Sequence, residues 1–238
     1  MPNNEILKEL KYLINIGINE FVDDKPQKYY TPSEEKSDLP NQTEYTKLEN
    51  IENLDDLKTA VINFQDCKLK FSAKNTVFSD GNPKSNIMLI GEAPGADEDE
   101  MGKPFVGKAG QLLNKMLAAI NLNRENVYIT NIVPWRPPGN RQPTNDEILM
   151  CVPFVQRHIE LINPKVLVLL GGTATKALLL SDAGIMRLQG KWHQYSSYGL
   201  ASPIATRPVF HPAFLLRSPG YKKNAWEDLK EIKLKLGN

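Results

Sequence analysis

From residue 85 onward, short unbroken apolar runs alternate with stretches in which apolar residues recur every three or four positions. "NIMLIG" (86–91), "VYITNIV" (127–133), "KVLVLLGG" (165–172) and "RPVFHP" (207–212) read as short buried strands. "AGQLLNKMLAAI", "TATKALLL" and "KKNAWEDLKEIKLKL" carry helical spacing. So does "NDEILMCVPFVQRHIELI", opened by Asn145 with Glu147 in its first turn. The alternation predicts an α/β fold: three layers, α/β/α, around a central, mostly parallel four-stranded sheet.

Upstream, "LDDLKTAVINF" (54–64) is predicted to be a helix that opens the main domain. Residues 4–21 place Ile6, Leu7, Leu10, Leu13, Ile14 and Phe21 at three- and four-residue spacings, which predicts an amphipathic helix within residues 1–21. Residues 22–48 are polar and broken by prolines, a linker. The main domain is expected to span 49–238.

Ligands of open parallel sheets sit beyond the carboxyl ends of the strands. The candidate site is therefore bounded by Gly91-Glu92, Asn131, Gly171-Gly172 and His211. Glu92 follows a strand-ending glycine and opens a Gly-Pro loop, so its carboxylate can face a cleft. The loop is no phosphate cradle, because six residues separate Gly95 from Gly102, Pro104 follows Lys103, and Asp97, Glu98, Asp99 and Glu100 would repel a phosphate. Asp99 and Glu100 read as acids complementing a helix dipole. Phe105, in "GKPFVGKAG", is either a core phenylalanine or a platform for a flat ring. Asn131 either caps a turn or offers its amide to the edge of a nucleobase.

Three histidines occur. His158 falls in an apolar-patterned helix and His193 in an irregular loop, whereas His211 stands at a strand end. After it, Leu215 and Leu216 with Arg217 pair an apolar wedge with a cation, or simply start a helix packed on the sheet. "WRPPGNRQPTN" supplies Arg136 and Arg141, either a solvated turn or phosphate contacts. "GGTATK" could hold one phosphate on free backbone N–H groups.

Composition narrows the setting. Apolar content of 41% and charged content of 24% are ordinary for a soluble protein. No apolar run approaches the roughly 18 residues of a membrane helix, and the first residues lack a basic leader, so no membrane role is expected. Two cysteines are too few for a disulfide framework, which points to a reducing cytoplasm. The net charge of +1 hides a split. Residues 1–135 hold 15 Lys+Arg against 21 Asp+Glu, and residues 136–238 hold 14 against 7. The basic half suits a polyanion-facing side.

The segments "GEAPGADEDEMGKPFVGKAGQLL", "VYITNIVPWRPPGNRQP", "PKVLVLLGGTA" and "HPAFLLRSP", in that order, resemble the uracil-DNA glycosylase superfamily, most closely its bacterial and archaeal family 4. The resemblance covers about residues 50–236. It implies a glycosylase that hydrolyses the N-glycosidic bond of a uracil flipped out of DNA, leaving an abasic site. By position it implies that Phe105 stacks on the uracil, that Asn131 reads its polar edge, and that Gly91 and Ala93 line its site. His211 would hydrogen-bond the uracil oxygen, and Glu92 would supply the catalytic carboxylate. Arg136, Arg141, Leu215, Leu216 and Arg217 would contact DNA.

Two departures qualify the likeness. Family 4 members usually hold a four-iron, four-sulfur cluster through four cysteines. Here Cys67 and Cys151 stand at two of those positions, with Lys70 and Trp135 at the other two. Two thiolates cannot hold such a cubane, so no cofactor or metal is expected, with Trp135 packing in the space. Some superfamily members also carry an Asp where this chain has Ala93. The expected partner is uracil-containing DNA, met by a monomer, with a further protein partner for the N-terminal helix. The rival functions are a broader glycosylase of deaminated bases (hypoxanthine, xanthine or thymine) and a non-catalytic DNA-binding module.

Overall fold

The computed structural model describes residues 48–181 and 183–237. The predicted N-terminal helix and all of the linker but Leu48 lie outside the described residues. Leu48 is buried in the core.

The elements in chain order are α1 (Leu54–Asn63), α2 (Leu69–Ser72), β1 (Asp80–Gly81), β2 (Ile87–Gly91), α3 (Ala96–Met101), α4 (Lys108–Ala118) and β3 (Tyr128–Asn131). They continue with α5 (Asn145–Ile162), β4 (Val166–Leu170), α6 (Gly172–Leu179), α7 (Ile185–Leu188), β5 (His193–Tyr195), β6 (Ile204–Val209), α8 (Pro212–Arg217) and α9 (Lys222–Leu236). The sheet order is β1-β3-β2-β4-β6-β5. The four inner strands are parallel, as predicted, but the sheet has six strands, because β1 and β5 pair antiparallel at its two edges. His193 lies in β5 rather than in an irregular loop.

Every residue of β2, β3 and β4 is buried. Successive side chains point to opposite faces, and both faces are covered, so β2 and β4 are apolar throughout instead of alternating, while β3 ends in the polar Thr130 and Asn131. Met88, Ile90, Tyr128, Leu167 and Leu169 join α1, α5 and α6 in one core cluster. Ile87, Leu89, Ile129, Val166, Val168 and Leu170 join α4, α8 and α9 in the other. These are the two helical layers.

Helix α5 opens with a capping box. The helix begins at Asn145 as predicted, and Thr144 caps it: its hydroxyl accepts the Glu147 N–H at 3.2 Å while Glu147 Oε2 accepts the Thr144 N–H at 2.7 Å. Asp99 is buried and its Oδ1 accepts the N–H groups of Lys74 and Asn75, at 2.9 and 3.0 Å. Part of the acidic run thus anchors the preceding loop.

Candidate active site

Strands β2 and β3 end in register, with Gly91 beside Asn131. A Cβ at Gly91 would fall 2.4 Å from Asn131 Oδ1 and 2.5 Å from Phe105 Cζ. Only glycine allows the amide and the ring to converge there. The ladder runs on past β3, where the Ile132 N–H donates to Gly91 O and the Val133 N–H to Glu92 O, at 2.9 and 3.0 Å. These bonds fix the backbone from which Glu92 projects.

The half-buried Glu92 carboxylate accepts the Thr173 hydroxyl at 2.5 Å. Thr173 lies in the first turn of α6, straight after β4. Gly171 makes the turn with φ +94, and a Cβ there would approach His211 Cβ to 3.0 Å. The third and fourth strand ends are therefore drawn together.

His211 follows β6 and caps α8. Its Nδ1 accepts the Ala213 N–H at 3.1 Å, which leaves the proton of the neutral ring on Nε2. Burial pulls its pKa down to about 4, and the Arg217 charge adds to the effect. The ring is therefore a neutral N–H donor near pH 7. The Phe105 ring lies 5.6 Å from it, tilted by 34°.

Asn131 is 4% exposed, and its Oδ1 is buried with no hydrogen-bond partner. Leaving a buried acceptor unpaired costs about 1–3 kcal/mol. Phe105 is buried in the second core cluster and holds φ +55, a left-handed conformation worth about 1–3 kcal/mol of strain for a bulky residue. It is a core residue that also borders the site. An unpaired amide oxygen, an aromatic ring, a neutral N–H donor and a carboxylate thus gather at the carboxyl edge of the sheet. Ala93, next to Glu92, is half-buried against the other core cluster.

The outer residues divide. Arg217 and Leu216 are exposed, Leu216 at 44%. Leu215 is only 1% exposed and packed in the core, because neighbouring positions of α8 are turned about 100° from each other and only Leu216 and Arg217 point outward. It is not available as a wedge, and the sequence reading is corrected on that point. Arg136 is half-buried, with Nε donating to Asn140 Oδ1 at 2.6 Å. Arg141 is exposed but spans both Glu147 oxygens at 2.6 and 2.8 Å, which holds Arg141 above and Glu147 below their ordinary values.

The residues at the family's cluster position do not fit a cluster. Cys67 and Cys151 are buried and free, and their mutual hydrogen bond and burial push the Cys151 thiol up. Trp135 is 1% exposed, donates its indole N–H to Thr76 Oγ1 at 3.0 Å and stacks on Phe64 at 6.3 Å. An indole N–H is a donor with no lone pair for iron, and Lys70 brings an ammonium. Two thiols leave a cubane two ligands short. At one of those positions the Trp135 indole is packed into the core instead of a thiolate.

Three residues near the site escaped the sequence reading in these roles. Thr173 orients Glu92, and Glu98 and Arg124 tie the loop that bears Phe105. Glu98 left a trace, standing three residues after a helix-opening glycine, as a capping acid does. Arg124, in a polar turn, left none.

An α/β sheet, parallel at its centre, thus carries carboxylate, amide, imidazole and phenyl side chains at its glycine-lined strand ends. Residues 78–230 match the uracil DNA glycosylase superfamily, and the chain belongs to that family. It is 43% identical over 188 residues to a type-4 uracil-DNA glycosylase of Saccharolobus solfataricus, covering 77% of this chain and 86% of that one. It is 39% identical to type-4 uracil-DNA glycosylases of Archaeoglobus fulgidus, over 76% of this chain and 92% of that one, and of Thermotoga maritima, over 70% and 86%.

Proposed function

We propose that this protein is a monofunctional uracil-DNA glycosylase, hydrolysing the bond between uracil and deoxyribose in DNA and leaving an abasic site for base excision repair. The observation that carries the reading is the orphaned Asn131 Oδ1, held over Gly91 beside Phe105 and the neutral His211. Uracil N3–H would satisfy that oxygen, and the Asn131 amide N–H would donate to the neighbouring uracil oxygen. Cytosine presents the opposite pattern at those two positions and is disfavoured.

Extruding the base costs a few kcal/mol. Stacking on Phe105 returns about 1–3 kcal/mol. As the C1′–N1 bond breaks, its electron pair passes to uracil and positive charge grows on the sugar. The His211 Nε2–H stabilises the departing anion without a prior protonation step. Glu92, held by Thr173, stabilises the sugar cation and orients the water whose oxygen bonds C1′; the water's proton passes to the carboxylate or to solvent. Arg136, Leu216 and Arg217 meet the DNA. The protein acts as a monomer in a reducing cytoplasm, a setting consistent with its two buried free thiols. Among the described residues no helix is long and apolar enough to cross a membrane.

Labelled oligonucleotides carrying uracil, hypoxanthine, xanthine or thymine, treated with the protein and then alkali, test this reading. Strand cleavage at uracil alone is expected. Cleavage at several lesions would make the enzyme a broader glycosylase, and none at any would leave a DNA-binding module. In the same assay Asn131→Asp should lower uracil excision about 10- to 100-fold, from the roughly 1–3 kcal/mol of a lost bidentate contact. An unchanged rate would remove Asn131 from the site.

A further inference from the structure

Phe105 sits in a loop between α3 and α4 whose backbone is held by two charged side chains that do not themselves join the group around Gly91. Glu98 Oε1 accepts the N–H groups of Val106 and Gly107, each at 2.9 Å, and Oε2 accepts the Gly95 N–H at 3.1 Å. The last bond is the ordinary reach of a capping acid; the other two are not needed to start a helix. On the other side, Arg124 donates to Pro104 O at 3.1 Å and to Phe105 O. Its own fork is set by an ion pair with Asp80 and a bond to Asn114 Oδ1 at 3.1 Å.

The space around the loop is also fixed. A Cβ at Gly110 would fall 1.7 Å from Phe105 O, so α4 can approach the loop only with glycine there. The two-residue strand β1 has a purpose in this arrangement. Its pairing of Asp80 with Ile129 holds the Asp80 carboxylate where it reaches Arg124.

We propose that Glu98 and Arg124 are positioning residues that lock Phe105 in its left-handed backbone conformation and so present its ring, already oriented, to the extruded base. This rests on reading Phe105 as the stacking platform. A phenylalanine at positive φ relaxes to the extended or right-handed region when nothing holds it, and that rotation would carry the ring away from Gly91. The carbonyl of Phe105 and the N–H groups of the next two residues are all claimed, so the rotation would break bonds on both sides at once. The cost of ordering the platform is then met on folding and not on binding.

A double-mutant cycle on single-turnover excision of uracil tests the proposal, using the full chain. Phe105→Ala should slow excision about 10-fold or more, the stacking contribution. Arg124→Gln should slow it about 10-fold in the native background but less than about 2-fold in the Phe105→Ala background, because a residue acting only through the ring has nothing left to act on. Affinity for undamaged duplex should be unchanged in Arg124→Gln. If Phe105→Ala excises at the native rate, the platform reading itself falls. If Phe105→Ala is slow while Arg124→Gln costs nothing, or costs the same in both backgrounds, the platform stands and the lock is overturned. Should Arg124→Gln not fold, Glu98→Gln, which keeps one carbonyl oxygen for the loop, carries the same cycle. Loss of the fold in both would make the pair a folding element and overturn the proposal.

Discussion

At the scale of the residue, His211 shows how burial selects a mechanism. An imidazolium would bring a second cation beside Arg217 into a half-buried site, and the ring answers by giving up its charge: its pKa falls to about 4. The Ala213 N–H then decides which nitrogen keeps the proton. In the proposed reaction the active form is the neutral one, so uracil excision should hold a plateau from pH 8 down to about 5. A half-maximal rate near pH 6.5 would place the ring at its ordinary value and sink the assignment. The same shift sets a stability trend. The unfolded chain takes up a proton near pH 6.5 that the folded His211 refuses until about pH 4, and His158, depressed by burial to about 3, behaves alike. Stability is therefore lost as the pH falls from about 6.5 towards 4. Glu92, Asn131 and His211 were legible because each is a polar residue ending or following an apolar run. Thr173 and Arg124 were not, since their partners, Glu92 and Asp80, are far away in sequence and only the fold brings them near.

At the scale of the element, β2 and β4 announced themselves as apolar runs buried on both faces, and helix α9 was read with its bounds intact. The edges did not. β1 is two residues long and acts through one carboxylate, and β5 reads as loop because one of its faces is wet. β6 begins three residues before the predicted "RPVFHP", at Ile204, and its Arg207 looks like a surface residue in sequence. In the fold Arg207 is 5% exposed, bonded by Nε to Asp228 Oδ1 of α9 at 2.8 Å and capped by the Trp192 ring at 5.2 Å. A buried guanidinium of this kind is tolerable only while its partner stays. Asp228→Ala should therefore cost about 3–5 kcal/mol, lowering the thermal midpoint by roughly 10 °C for a domain of this size. Because β6 delivers His211, excision should weaken before the protein unfolds. A midpoint lowered by less than about 2 °C, against that scale, would show the pair to be dispensable.

At the scale of the whole molecule, several carboxylates of the acidic half are already engaged by the protein's own groups and are not offered to DNA as free charges. Asp80 holds Arg124, Glu98 and Asp99 take backbone N–H groups, and Glu100 pairs with Lys74. The basic half carries α8 and its exposed Arg217. Each phosphate neutralised by a cation steepens the fall of log K with log salt by about 0.9, so the slope counts the arginines that do meet DNA. Arg217→Gln should reduce the slope by about 0.9. Arg141→Gln should reduce it by less than half as much, because Glu147 already neutralises that guanidinium through two bonds. Glu147 is also committed to the cap of α5, so releasing Arg141 would leave its carboxylate to the Thr144 N–H alone. Binding constants for a uracil-free duplex, measured from 50 to 200 mM salt, separate the two variants. Equal slopes would mean that DNA pulls Arg141 away from Glu147. The turn that bears Arg141 would then be a phosphate clamp opened by its ligand, and the charge pairing seen in the free protein would not predict its contacts.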